Sequence, residues 1–363
     1  MRIKISLISA CLFASSALFA DSTNIADALK NGKINGEFFI YAEQSDIKGA
    51  DNEGFGSGSF NLGFTTDSLY GFKLDVGSRA NHAFWEIDGG EYAQIDKAVL
   101  HTANIAYSHP HLDVILGRQE INLEWMEDFH EALVGVTRAL PYTTITVGYT
   151  QRVAVADGDK PLRGFAEIGD IADNGAFVAD IKYDGIEYLV LNPYVYYADD
   201  VALWAGAKAA YDGDFGEFKI GGTLQYVLSD EDNINDGSFL QAEARGTFAG
   251  VNAFLGFLKT DKDGGVGSIR AAGDNVNFFE DGDQIFEIDA RTFYIGVNGA
   301  WNKFEFGGIF GSTEYAGGKM RELDLTIAYD LTEHFNLSAA FVNGNGEGDN
   351  DYNKIIAQAI YSF

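Results

Sequence analysis

Six basic residues, Lys73, Arg152, Lys182, Lys208, Lys219 and Arg245, fall on the polar phase of segments whose alternate residues are apolar. Four acids, Asp75, Asp180, Glu243 and Asp324, share that phase. Two further arginines, Arg118 and Arg138, stand beside the acidic stretch 120–130, which carries Glu120, Glu124, Glu127 and Asp128. Opposite charges facing each other across a narrow passage would set up a field that orients a charged or dipolar solute. The plainer reading of the same residues is ion pairing within a solvated interior. Neither makes or breaks bonds. The chain has no Gly-x-Ser-x-Gly elbow, His-Glu-x-x-His pair or Cys-x-x-Cys pair, so no activated nucleophile is indicated and no enzyme is expected. The six histidines, His82, His101, His109, His111, His130 and His334, are scattered. His109-Pro110-His111 offers two imidazoles without a third ligand, so neither a metal nor a cofactor is expected. Gly264-Gly265-Val266-Gly267 lacks the strand and helix flanks of a phosphate cradle and reads as loop.

Residues of this kind can be aimed into one passage only by strands. In Tyr70 to Arg79, Tyr70, Phe72, Leu74 and Val76 alternate with Lys73, Asp75 and Arg79. In the final segment, Ile355, Ala357, Ala359, Tyr361 and Phe363 share one face, with Lys354, Gln358 and Ser362 on the other. Such strands suit lipid on one side and water on the other. A charge facing lipid at mid-membrane costs about 2–4 kcal/mol, which favours the inward placement. Counting along the chain gives eighteen strands, with sixteen as the alternative count. Short turns alternate with longer acidic connections, among them 80–96, 120–130, 154–174 and 261–287. Asp184-Gly185 reads as a hairpin turn. Pro193 falls inside a strand and implies a bulge or a lost ladder bond. The expected fold is an all-β membrane protein, a closed antiparallel transmembrane β-barrel over residues 33–363. A barrel of that size is too wide for side chains to fill. No segment is long enough for a separate plug domain, so a water-filled channel follows.

Composition sets the surroundings. Arg2 and Lys4, an apolar stretch and the small residues up to Ala20 make residues 1–20 a secretory signal peptide, cleaved before Asp21. Removing it removes Cys11, so no disulfide is available. Residues 21–32 read as a periplasmic segment, a short helix or tail near the barrel mouth. Net charge is −29, which argues against nucleic acid as a partner. No run of eighteen apolar residues exists, and half-apolar strands escape that test. Aromatics at 14% and 43 glycines fit interfacial girdles and tight turns.

Leu116-Gly117-Arg118-Gln119, followed by a loop and a strand leading to a Pro turn, resembles the OprD-type outer-membrane porins, in particular their relatives in Campylobacter-like bacteria. The stretch from Ala28 to Gly36, ALKNGKING, is similar as well. The resemblance implies an eighteen-stranded barrel in the outer membrane that passes ions and small hydrophilic solutes by diffusion. It also implies narrowing by the third extracellular loop opposite a row of basic residues. Arg118 matches the motif position, and 120–130 occupies the place of the constricting loop, though it is short here. Outer-membrane lipid and lipopolysaccharide would surround the barrel. The assembly machinery would read the last strand and Phe363, and the oligomeric state stays open between monomer and homotrimer. A gated, substrate-specific channel and a barrel whose loops bind partners are the functional alternatives. A soluble β-sandwich is the structural one.

Overall fold

A computed structural model describes residues 22–93, 96–168, 174–347 and 351–363, so the stretch expected to be a signal peptide lies outside the described residues. Helix α1 (Ile25–Lys30) precedes β1 (Lys33–Ile47), β2 (Glu53–Thr65), β3 (Phe72–Glu86), β4 (Ala98–His109), β5 (Leu112–Glu120), β6 (Phe129–Thr137) and β7 (Thr143–Val155). Then come β8 (Arg163–Glu167), β9 (Ala176–Ile186), β10 (Leu189–Ala198), β11 (Ala202–Phe215), β12 (Phe218–Glu231), β13 (Gly237–Phe248) and β14 (Val251–Thr260). The last are β15 (Arg291–Trp301), β16 (Phe304–Tyr315), β17 (Gly318–Asp330), β18 (Phe335–Gly346) and β19 (Tyr352–Ser362).

Each strand pairs antiparallel with its sequence neighbour, and β19 returns to β1, so the sheet has no open edge. The short β8 is an addition. It pairs only with the far end of β7, while β7 also pairs with β9. Eighteen strands therefore close the wall, the number expected. Closure satisfies every backbone group in lipid, which an open sheet could not do. The outward phase carries exposed apolar residues, among them Ile40, Val76, Leu116, Leu133, Leu224, Ile295 and Leu325. Aromatic pairs such as Phe38–Phe60, Phe72–Tyr107, Phe218–Phe248 and Phe304–Tyr329 ring the end with the short turns.

Two local expectations need correction or detail. Asp184-Gly185 is not the turn: both residues lie within β9, and the turn is Glu187-Tyr188, with Tyr188 at φ 62°. The ladder continues past the Asp-Gly pair, which falls beside a register shift between Leu189 and Leu191. Pro193 stays in a continuous β10, paired with Ala207. On the β9 side Leu191 and Tyr194 have ladder partners but Asn192 and Pro193 have none. The Asn192 amide donates to the Ile181 carbonyl at 2.9 Å, filling the place of the N–H that proline lacks.

Asn24 caps α1 by accepting from Asp27 N at 3.0 Å. The helix docks on the β2–β3 turn, where Asp67 N donates to Ala28 O at 2.9 Å and the Ser22 hydroxyl to Asp67 Oδ2 at 2.6 Å. At the opposite end three connections turn inward. Residues 121–128 and 261–290 share one apolar cluster with the inner faces of β10 to β16. The connection bearing β8 crosses to β3, where the Asn81 amide donates to the carbonyls of Asp157 and Lys160 at 2.8 and 2.9 Å.

Candidate functional site

Two of the three inward connections meet each other in the interior. The short one, residues 121–128, begins where the β5–β6 ladder ends at Glu120 and Phe129. Leu123 and Met126 exchange backbone hydrogen bonds, a tight hairpin that puts Glu124 and Trp125 at its tip. Trp125 is 1% exposed. Its indole N–H donates to the Tyr194 hydroxyl at 3.0 Å, and its ring meets Phe239 edge-on with centroids 5.3 Å apart. Glu124 accepts Lys208 Nζ with both oxygens, at 2.8 and 2.9 Å. A loop carboxylate therefore meets a wall ammonium, with the Gln225 amide and Tyr194 hydroxyl 2.9 Å apart beside them.

The long loop, residues 261–290, is tied at its base to β12: the Glu231 carboxylate accepts from Ser268 N at 2.7 Å and from the Ser268 hydroxyl. The Arg270 guanidinium lies 3.8 Å over the Phe286 ring and pairs with Asp274 at 2.8 Å. Phe278 packs on Tyr294, centroids 4.2 Å apart. Phe279 fills the space over Gly311, where any side chain would collide with its ring. Beyond it, Glu280 N donates to Asp324 and Asp281 N to Glu322, both at 2.9 Å. Lys354 Nζ reaches Asp281 at 2.5 Å. The two loops then join. Glu127 N donates to Ala272 O and Asn275 N to Glu124 O, each at 3.0 Å.

No family model and no curated protein matches the sequence. Solved structures do. Over 94% of this chain and 98% of its own, Acinetobacter baumannii OccAB1 superposes with a TM-score of 0.78 at 9% identity. Pseudomonas aeruginosa OccK8 (OprE) covers 93% and 99%, with a TM-score of 0.77 at 11% identity. Pseudomonas aeruginosa OpdK, solved with vanillate, covers 93% and 99%, with 0.75 at 14%. The fold is that of the Occ/OprD-type outer-membrane channels. At such identities the likeness concerns architecture and carries no residue roles.

Within the barrel the charged residues expected from the sequence fall into distinct places. Lys208 and Glu124 meet, as above. Arg245 bridges Asp212, at 2.7 and 2.8 Å, and Glu243, at 3.3 Å, and Glu243 also accepts the Tyr294 hydroxyl at 2.9 Å. Asp180 takes the Asn192 amide at 3.0 Å. Lys182 lies on the same phase of β9 and is exposed. Lys73 and Asp75 lie on the inward phase of β3, the first exposed and the second buried. Lys219 sits at the short-turn end, 3.4 Å from Asp214. Glu120 closes β5 opposite Phe129, and Asp128 takes φ 75° where the short loop rejoins β6. Glu127 offers its carbonyl to His130 Nε2 at 2.9 Å. Phe363 exchanges backbone hydrogen bonds with Gly36, each 3.0 Å, beside the β19–β1 seam.

Three arginines stand elsewhere than expected. Arg138 is at the short-turn end of β6, paired with Asp113 at 2.6 Å, a strand length from the acidic loop. Arg118 pairs across the β5–β6 ladder with Glu131, on the phase of Leu116 and Leu133, which face outward. Gly117, at φ 124°, passes so close to Ala103 O that only glycine fits, which accounts for the Gly-Arg pair. Arg152 joins Arg118 on that outer phase. A register shift against β6 leaves Gln151 unpaired and sets Arg152 opposite Glu131. Period-two counting cannot see a bulge, because one extra residue exchanges the two faces. Arg118 binds Glu131 at 2.8 Å and lies 4.4 Å over Phe165 of β8, with Arg152 3.8 Å from Glu131.

Sequence reasoning passed over Trp125, Asp281 and Glu322, and it put Arg79 and Lys354 on the polar face without their partners, Glu37, 2.9 Å from Arg79, and Asp281. One signal was present. Val266, Ile269, Val276, Phe278, Phe279, Ile285 and Phe286 are too many apolar residues for a solvated loop. For the Lys354–Asp281 pair no signal existed, because nothing local links residues 73 apart.

Proposed function

We propose that the chain is an outer-membrane porin, a water-filled channel for passive diffusion of ions and small hydrophilic solutes. The observation that carries this reading is a closed eighteen-strand wall, apolar outside, whose inner face carries charged and amide side chains beside the apolar seat of the two loops. Side chains alone do not fill a barrel of that size. The two joined inner loops would narrow the passage, the short loop meeting the wall at Lys208. The basic wall would then comprise Lys73, Lys182, Lys208, Lys219 and Arg245, without Arg118, Arg138 and Arg152. Purified barrel in a planar bilayer under a salt gradient should give stable ohmic steps. Silent, folded barrels would sink the reading.

The contacts between the two loops favour a second reading, a channel gated and selective for particular solutes. Such a channel would conduct in brief steps and be blocked by its solute. The C-terminal strand with Phe363 would be the part read by the barrel-assembly machinery, and lipid and lipopolysaccharide would cover the outer belt as monomer or homotrimer. The short motifs at 28–36 and 116–119 support kinship with the channels of Campylobacter-like bacteria.

A further inference from the structure

Glu322 and Asp324 lie two residues apart on β17, on the face turned into the barrel. Among the described residues, their neighbours in the wall ladder offer them no polar side chain. Their ladder neighbours are Gly311 and Gly344 beside Glu322, and Ile309 and Val342 beside Asp324. One oxygen of each accepts a backbone N–H from the long loop, Asp281 N to Glu322 Oε1 and Glu280 N to Asp324 Oδ2. Among the described residues, no group donates to the remaining oxygens, Glu322 Oε2 and Asp324 Oδ1. Yet the two residues are only 3% and 2% exposed, and their carboxyls interact with each other.

The charges around the pair sharpen the problem. From the long loop come Glu280 and Asp281, both acidic; from β19 come Tyr352 and Lys354; from β1, Glu43 and Tyr41 lie beyond Lys354. β16 and β18 contribute the uncharged neighbours already named. Lys354 is committed to Asp281. Two carboxylates in contact, both ionised and without a counter-charge, are strongly disfavoured, and such pairs hold one proton between them. That proton would be the missing donor, bridging the two orphan oxygens.

We propose that the Glu322–Asp324 pair is a proton-operated latch for the long inner loop. With one proton shared, the pair presents two acceptors to consecutive loop N–H groups and holds the tip, with Phe279 over Gly311, against the wall. Loss of the proton leaves two adjacent negative charges beside Asp281 and Glu280, and the tip lifts away. The latched state binds more protons than the unlatched one, so its stability is greatest at lower pH and falls as pH rises. The consequence for conductance rests on the channel reading above: the passage widens on the alkaline side.

The test is single-channel conductance of the full barrel across the neutral to alkaline range, with folding checked by heat-dependent gel mobility. Wild type should show conductance or open fraction rising with pH. Glu322→Gln, whose amide donates to Asp324 without titrating, should hold the low-pH behaviour throughout, and Asp324→Asn likewise. A flat wild-type profile, or a Glu322→Gln barrel that follows the wild-type curve, overturns the latch. Nitroxide labels at Asp283→Cys and Asn345→Cys on the otherwise native barrel give a readout independent of conduction. Their separation should lengthen with pH, and a constant separation overturns the proposal. If no barrel conducts at any pH, the channel reading fails alone, and the label distances still decide the latch.

Discussion

The two inner loops meet the wall by opposite electrostatic means. The short loop brings a carboxylate, Glu124, to a wall that supplies an ammonium, Lys208, and adds an indole seated among aromatic rings. The long loop meets a wall that supplies carboxylates, Glu322 and Asp324, so its own backbone amides become the donors. Lys354, from a different strand, balances its Asp281. Side-chain charge and aromatic packing hold the first contact. The second depends on amide geometry, a glycine socket and the charge state of the wall. A loop held in the first way should respond to truncation of side chains, and one held in the second way to pH and to backbone displacement.

The largest separation should come from Trp125→Ala. Removing a fully buried Trp costs about 3–5 kcal/mol of local packing, enough to free the short loop. Conductance should rise, with the pH response of the long loop retained; an unchanged conductance would mean that the short loop does not border the passage. Next is Lys208→Met, which strands the largely buried Glu124. Breaking a buried pair costs 3–5 kcal/mol when solvent is fully excluded, and partial exposure here reduces that to about 2 kcal/mol. A double-mutant cycle with Glu124→Gln should recover most of the loss. Gly311→Ala addresses the long loop. It pushes Phe279 from its place at about 1–3 kcal/mol, the range for overpacking, and should mimic alkaline pH at neutral pH. Arg118→Ala should change conductance and selectivity little and stability by under about 1 kcal/mol, because a partly exposed ion pair on the outer phase is worth little. A large selectivity change would return Arg118 to the passage.

The smallest effect is expected at the far end, as a control for both loops. The Asp67 carboxyl is held below its ordinary value, chiefly by the Ser22 hydroxyl. Its contribution to docking α1 is therefore present above the unfolded value and lost as pH falls through the depressed one. Ser22→Ala should move the Asp67 titration, followed by NMR, back toward the ordinary value, and leave conductance alone.

Much of the barrel was legible because lipid and water impose a period of two on every strand. That period yielded the eighteen strands, the side taken by the short turns and the inward phase of Lys208, Arg245, Asp180 and Asp324. It failed where one residue was added. Gln151 turned Arg152 outward, and the same alternation, read along β5 from Leu116, places Arg118 outside as well. Asp184-Gly185 has the composition of a turn, but β9 simply runs on through it.

What the amino-acid sequence determined by itself is the wall: alternation is a local property, and each strand carries its own record of which side is lipid. The contents of the wall were decided only in three dimensions. Whether 261–290 projects outward or folds in depends on Gly311, Glu322, Asp324 and Lys354, which lie up to 73 residues from the atoms they hold. Ion pairing and packing act through space at a few ångströms, so their outcome appears only once the barrel has brought those residues together.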